Sequence, residues 1–181
     1  MAGKRDWLRE GISILTEEGS QALTIDRLCG RLGLTKGSFY HHFAGMTGYK
    51  AALLEHYERI GTQRFIEAVE ADPVEPVVML DRLLDLVMAS TELGLDTAMR
   101  AWAQQDPQAG EMMARVDQAR VEYMESLWLR HRGDAAEARM VGQLLYAVHV
   151  GARHMLPPLQ RHELGGVYRL LLDRLKGWTG P

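Results

Sequence analysis

A chain of 181 residues that is 46% hydrophobic and 25% charged can bury a core and is too apolar to be disordered. Its one cysteine, Cys29, excludes an internal disulfide and a multi-cysteine zinc site; no apolar run reaches the ~18 residues of a membrane span and no secretory core follows Lys4-Arg5, so a cytoplasmic chain is expected. The net charge of -3 is uneven: residues 1–50 hold seven Lys/Arg against five Asp/Glu, and the rest fourteen against nineteen, as in a small basic head on an acidic body.

Lys4 to Glu18 reads as a first helix, with Trp7, Leu8, Gly11, Ile12, Ile14 and Leu15 on its apolar stripe and Gly19 as its stop. Leu23 to Phe43 then reads as two short helices joined by a tight turn. Thr24 caps the first, because its hydroxyl can accept a backbone N–H that lacks an intrahelical partner. Ile25, Leu28, Cys29 and Leu32 mark its buried face, Cys29 as a small hydrophobe. Gly33 sits where a left-handed residue ends the helix, and Leu34 plugs the turn. Thr35 caps the second helix, Lys36 to His42, whose Phe39 and Phe43 share the inward face. Lys36, Ser38, Tyr40, His41 and His42 are left outward or sideways. No carboxylate occurs from Arg27 to Leu54. Hydrogen-bond donors without acids suit a phosphate backbone, and a helix-turn-helix places its second helix in the major groove.

The run Leu-Thr-Ile…Leu-Cys…Leu-Gly-Leu-Thr-Lys-Gly-Ser-Phe-Tyr-His-His-Phe resembles the DNA-binding signature of the tetracycline-repressor (TetR) family of transcription regulators. The resemblance implies an all-α fold: a three-helix helix-turn-helix DNA-binding domain over residues 1–47, followed by a helical ligand-binding and dimerisation domain over 48–181. It implies double-stranded DNA with a palindromic operator as partner, a small-molecule effector, and no cofactor. The family commonly follows its Phe with a Ser-Lys-Glu-like start to the next helix. Here the lysine position is Met46, and Lys50, one turn later, is a substitute for its phosphate contact. The expected DNA-binding set is Thr24, Thr35, Lys36, Gly37, Ser38, Tyr40, His41, His42 and Lys50. Thr35, Lys36, Tyr40 and His41 are assigned mainly to phosphates. Gly37, Ser38 and His42 are nearer to base edges.

Beyond a connector at 44–47, a long helix is expected from Gly48 to Ala71, stopped by Asp72-Pro73. Val77 to Leu93 is the next, broken by Gly94, and Thr97 to Gln105 is a short one. Asp106-Pro107, an acidic cap before a first-turn proline, starts a helix to about His131. Arg100-x-Trp102 followed by Asp106-Pro107 also resembles a ligand-domain pattern of the same family. Ala135 to Met155 is apolar on more than one side, and Leu164 to Trp178 is the last helix. A helix apolar on two sides must be covered on both. A second subunit would cover the outer side through Val141, Leu145, Val148, Ala152, Met155, Val167, Leu171 and Leu175, forming a four-helix bundle in a homodimer; the alternative is that both sides are internal core. Gly142, Ala147 and Gly151 are small enough for close helix approach.

The body is rich in methionine and amphipathic aromatics. Met99, Trp102, Tyr123, Tyr146 and His149 are the candidates for an apolar ligand cavity with polar handles, against the plainer reading of ordinary core. The sequence lacks GxSxG, HExxH, CxxC, a Walker loop and GxGxxG, so no enzyme is expected. His149 and His154, and His41 and His42, are expected to diverge on their helices, and no metal site is expected. The rival classes are a helical enzyme, a constitutive DNA binder without an effector, and a dimeric interaction module with a purely structural helix-turn-helix.

Overall fold

In a computed structural model that describes residues 3–90 and 93–178, the amphipathic stretches form helices, with no strand among the described residues. They are α1 (Lys4–Glu18), α2 (Ile25–Leu32), α3 (Lys36–His42), α4 (Gly45–Glu58), α5 (Arg64–Glu70), α6 (Pro76–Ala89), α7 (Leu93–Ala103), α8 (Pro107–Arg132), α9 (Ala135–His154) and α10 (Arg161–Lys176).

Several boundaries follow from the chemistry expected of them. Gly19, Gly33 and Gly133 end helices at φ of 83°, 66° and 81°. The Asp106 carboxylate accepts from the Gln108 and Ala109 N–H groups at 3.0 and 3.3 Å and so caps α8. Other boundaries depart from the expectation. The helix expected over 48–71 starts three residues earlier and is interrupted by a π-helical turn, Arg59–Gln63. That extra residue per turn re-aims Thr62, which is buried and accepts a hydrogen bond from Arg120 Nε at 3.0 Å. Gly94 does not break a helix. It lies in the first turn of α7, where a methyl group would meet only Thr16 of α1 at 3.5 Å; α6 already ends at Ala89, and residues 91–92 of the expected helix lie outside the described residues. The last helix begins at Arg161, because Glu163 reaches back to the Gln160 N–H at 2.7 Å.

The helices gather into two compact units: Met1–Gly61 with Thr91–Val116, and Thr62–Ser90 with Asp117–Pro181. The first has a core of Trp7, Ile14, Leu15, Leu28, Phe39, Tyr49, Leu53, Tyr57, Met99 and Trp102, in which α1 packs on α2, α4 and α7. The second has a core of Val69, Met79, Leu80, Leu127, Trp128, Val141, Leu145, Tyr168 and Leu172, in which α6 packs on α5 and α10.

This arrangement corrects the face expected to meet a second subunit. Val141, Leu145 and Ala152 are buried within their own unit, and a methyl at Gly142 would meet the Val121 carbonyl oxygen at 3.0 Å and the Glu125 nitrogen at 3.1 Å. The small residue on α9 thus serves its crossing with α8 of the same chain. Gly151 faces open space and Ala147 is exposed. Val148, Val167, Leu171 and Leu175 are half-buried, and Met155 is exposed. On α9, α10 and the segment between them, the large apolar side chains left outward are Met140, Leu144, Met155, Leu156 and Leu170.

Candidate nucleic-acid interface

Within the first unit, an aromatic cluster sets the angle of α3. Phe39 is fully buried, edge-on to Trp7 at 5.5 Å and tilted against Phe43 at 5.2 Å and Tyr49 at 5.5 Å. The Tyr49 hydroxyl donates to the Trp7 carbonyl oxygen at 2.8 Å, tying α4 to α1. Burial pushes the Tyr49 phenol well above its ordinary pKa, so it remains a donor. The two caps form as the sequence implies. Thr24 Oγ1 accepts from the Arg27 N–H at 3.2 Å, and Thr35 Oγ1 from the Ser38 N–H at 3.3 Å. Gly33 makes the left-handed turn between them, and the Leu34 N–H donates to the Cys29 carbonyl at 3.0 Å.

With Phe39 inward, α3 presents the rest. Thr35, Lys36, Gly37, Tyr40 and His41 are exposed, with Tyr40 at 59%, while Ser38 and His42 are half-buried. Thr24 is exposed beside this surface in sequence and acts as the α2 cap. A methyl at Gly37 would touch only Thr35 Oγ1 at 3.6 Å, an ordinary contact. Nothing inside the protein requires glycine there. A glycine within a helix costs about 1 kcal/mol relative to alanine.

The charges are not as free as the sequence suggests. The acid-free run has its acids supplied by flanking segments. Lys36 Nζ lies 2.6 Å from Asp26 Oδ1, and that hydrogen bond raises the lysine pKa. Arg27 pairs with Glu18 at 2.8 Å, which holds the Glu18 carboxyl below its usual range. Arg31 pairs with Glu10, Glu17 and Glu18 at 2.6, 2.8 and 3.0 Å, fastening α2 to α1. Lys50 is engaged elsewhere: its ammonium lies 3.0 Å from Asp106 Oδ2 and 5.7 Å from the centroid of the Trp102 ring. Burial alone would raise the Asp106 carboxyl, but the Lys50 and Ala109 hydrogen bonds and the lysine charge outweigh it and leave the carboxyl lowered. Lys50 is thus directed at the start of α8 in this structure, and a phosphate contact from it in place of Met46 would require giving up Asp106.

His41 and His42 do not diverge. Their ring centroids lie 5.1 Å apart, edge to face. No cluster of three His, Cys, Asp or Glu side chains suited to a metal occurs among the described residues.

The five ligand candidates do not fall in one unit. Met99 and Trp102 are closed into the core of the first. In the second, Tyr146 and His149 stack at 5.9 Å and 11°. The Tyr146 hydroxyl donates to Asp117 Oδ1 at 2.7 Å and accepts from Arg120 at 3.2 Å, and His149 Nδ1 meets the Tyr168 hydroxyl at 3.1 Å. Tyr123 lies apart in the bonding network, donating to Glu70 Oε1 at 3.0 Å. Sequence reasoning missed Asp117, Arg120 and Tyr168 in this cluster, because their partners lie on other helices and no local spacing betrays them. An open apolar groove of about 460 Å³ also lies in this unit, lined by Met140, Val141, Leu144, Arg174, Leu175 and Trp178.

Residues 8–56 match the bacterial regulatory proteins of the tetR family. The transcriptional regulator AcuR of Cereibacter sphaeroides is 30% identical over 86 residues, which are 45% of this chain; the match spans only 39% of AcuR. A crystal structure from Pseudomonas aeruginosa PAO1, assigned to a transcriptional regulator, superposes with a TM-score of 0.76 over 96% of this chain and 90% of that one, at 12% identity, a likeness of fold. The turn glycine, the two threonine caps and the buried Phe39 all lie inside the stretch that matches the tetR family of bacterial regulatory proteins.

Proposed function

We propose that the chain is a homodimeric transcriptional regulator, a repressor that reads a palindromic operator through α3 and releases it when a small, largely apolar ligand enters the helical body. The observation that carries this reading is the surface of α3. Its buried anchor, Phe39, leaves Thr35, Lys36, Gly37, Tyr40 and His41 together on the outside. These groups are donors for phosphates and base edges, and a seven-residue helix fixed behind by an aromatic cluster can dock as a rigid body. Residues 1–47 form the reading part in this proposal, and residues 48–181 the ligand and dimer part. DNA as partner places the protein in the cytoplasm.

A palindrome needs two reading helices related by a two-fold axis, so the partner of the outward α9 and α10 side chains is a second copy. Met140, Leu144, Met155 and Leu170 replace Val141, Leu145 and Ala152 in that role, and the groove between Leu144, Arg174 and Trp178 takes a side chain of the partner. The ligand handles are Tyr123, Tyr146 and His149. Ligand coupling of about 1–3 kcal/mol would shift operator affinity 5- to 150-fold.

The test is enrichment of bound duplexes from random DNA by the purified protein, then titration of the enriched duplex. Tyr40→Phe weakens binding to every sequence alike, and Ser38→Ala changes preference at one base pair. An unchanged gel-shift titration for both removes α3 from the interface. The closed packing of Met99 and Trp102 favours a second reading, a regulator without an effector; a metabolite panel that never weakens the enriched complex selects it.

A further inference from the structure

We infer that DNA binding by this chain is linked to proton uptake at His41 and His42, so that affinity for duplex DNA rises as pH falls through the imidazole range. The inference rests on the reading of α3 as the DNA-reading helix.

Residues 24–54 contain four cationic side chains, and each already has an acid. Arg27 and Arg31 are held by Glu10, Glu17 and Glu18, Lys36 by Asp26, and Lys50 by Asp106. Meeting a phosphate with any of them requires exchanging one anion for another, which adds little net attraction. The two imidazoles on α3 stand outside this pairing. Neither is hydrogen-bonded or ion-paired among the described residues; the rings touch each other at 5.1 Å, and His42 meets Phe43 at 6.2 Å. Both lie in the last turn of α3, where the helix carbonyls favour a cation.

The surrounding charges can be named element by element. On α2 they are Asp26, Arg27 and Arg31, all paired as above, with the buried thiol of Cys29. On α1, the Lys4 ammonium sits 5.7 Å over the Phe43 ring. On α4, Tyr49 is a buried phenol bonded to Trp7, and Lys50 is held by Asp106. On α3 itself there are Lys36 and Tyr40.

The sign follows. A phosphate favours the charged imidazole, so the complex keeps the proton to a higher pH than the free protein does. The extra affinity is fully present at the acid end and is lost as pH rises through the titration of the complex. Each displacement by one pH unit changes the affinity about tenfold. The charged form also neutralises a further phosphate, which steepens the salt dependence by about 0.9 per contact.

The experiment is fluorescence anisotropy on a labelled duplex enriched from a random 30-base-pair pool by the wild-type protein, at pH 6.0 and 8.0 across a salt series. The expected result is a Kd about tenfold lower at pH 6.0, with a salt slope larger by about one. The double variant His41→Gln/His42→Gln loses both differences. His56→Gln, which removes an imidazole at the far end of α4 beside Arg59, keeps them. Circular dichroism at both pH values establishes that each variant is folded. An equal Kd for the wild type at the two pH values overturns the inference and leaves the DNA reading standing, as does a double variant that keeps the wild-type pH response. Enrichment of no duplex at either pH overturns the DNA reading and this inference with it.

Discussion

Tyr49 is the residue on which the angle of α3 turns. Its ring packs on Phe39 and Phe43, and its hydroxyl reaches across to α1 beside Gly11. A methyl at Gly11 would overlap that hydroxyl. Alanine is the better helix former by about 1 kcal/mol, but Tyr49 is fully buried and cannot swing out, so overlap wins. Gly11→Ala is expected to destabilise the fold by about 1–2 kcal/mol. Tyr49→Phe alone costs about 1 kcal/mol for the lost hydrogen bond. The double variant costs less than the two added together, because the phenylalanine has removed the atom that the methyl strikes; urea unfolding of all four proteins measures this coupling. In the sequence, Gly11 is one small residue within an apolar stripe, and only the neighbouring helix gives it a reason. Thr24, Gly33 and Thr35 are different. Their work is done within three or four residues of their own position, which is why their roles were legible without a structure.

At the scale of the helices, α4 is held by two acids that lie far along the chain. Tyr57 donates to Asp96 at 2.6 Å, and Asp96 also accepts from Arg100 at 2.9 Å; Lys50 pairs with Asp106. These contacts bind α4, which follows the helix-turn-helix, to α7 and to the start of α8. Asp106 does two jobs, as cap and as partner of Lys50. Asparagine caps as well as aspartate, so Asp106→Asn isolates the charge. The Asp106 carboxyl is lowered in the folded chain, so its contribution is present above the ordinary carboxylate range and is lost as pH falls through the lowered folded value. Wild type should exceed Asp106→Asn in stability by about 1–2 kcal/mol at pH 7, and the gap should narrow as pH falls below the ordinary carboxylate range; chemical denaturation across a pH series measures it. The helix interruption at Arg59–Gln63 belongs to this scale also. No proline marks it, and the local pattern of Ile60, Phe65 and Ile66 reads as an unbroken helix. Packing of Thr62 against Arg120 is what the sequence alone does not contain.

For the molecule as a whole, the face available to a second copy is a matter of which side chains the chain has already used. Val141 and Leu144 sit three residues apart on α9, yet one is 1% and the other 40% exposed. Val141→Ala should therefore cost roughly 1–3 kcal/mol of unfolding free energy. Leu144→Glu should leave unfolding within about 0.5 kcal/mol when measured on the monomer. In sedimentation at micromolar concentration, Leu144→Glu should convert a dimer to a monomer, and a wild type that is already monomeric removes the dimer from the proposal. The sequence by itself determined the all-helical fold, the caps and turn of the helix-turn-helix, the inward pair Phe39 and Phe43, and the start of α8, since each depends on residues within a turn or two of one another. Tertiary structure alone decided that Lys36 and Lys50 are already paired, that Met99 and Trp102 are closed core, and which stripe of α9 remains outside. Those outcomes depend on contacts between residues far apart in the chain, 56 positions in the case of Lys50 with Asp106, and helical periodicity carries no information at that range.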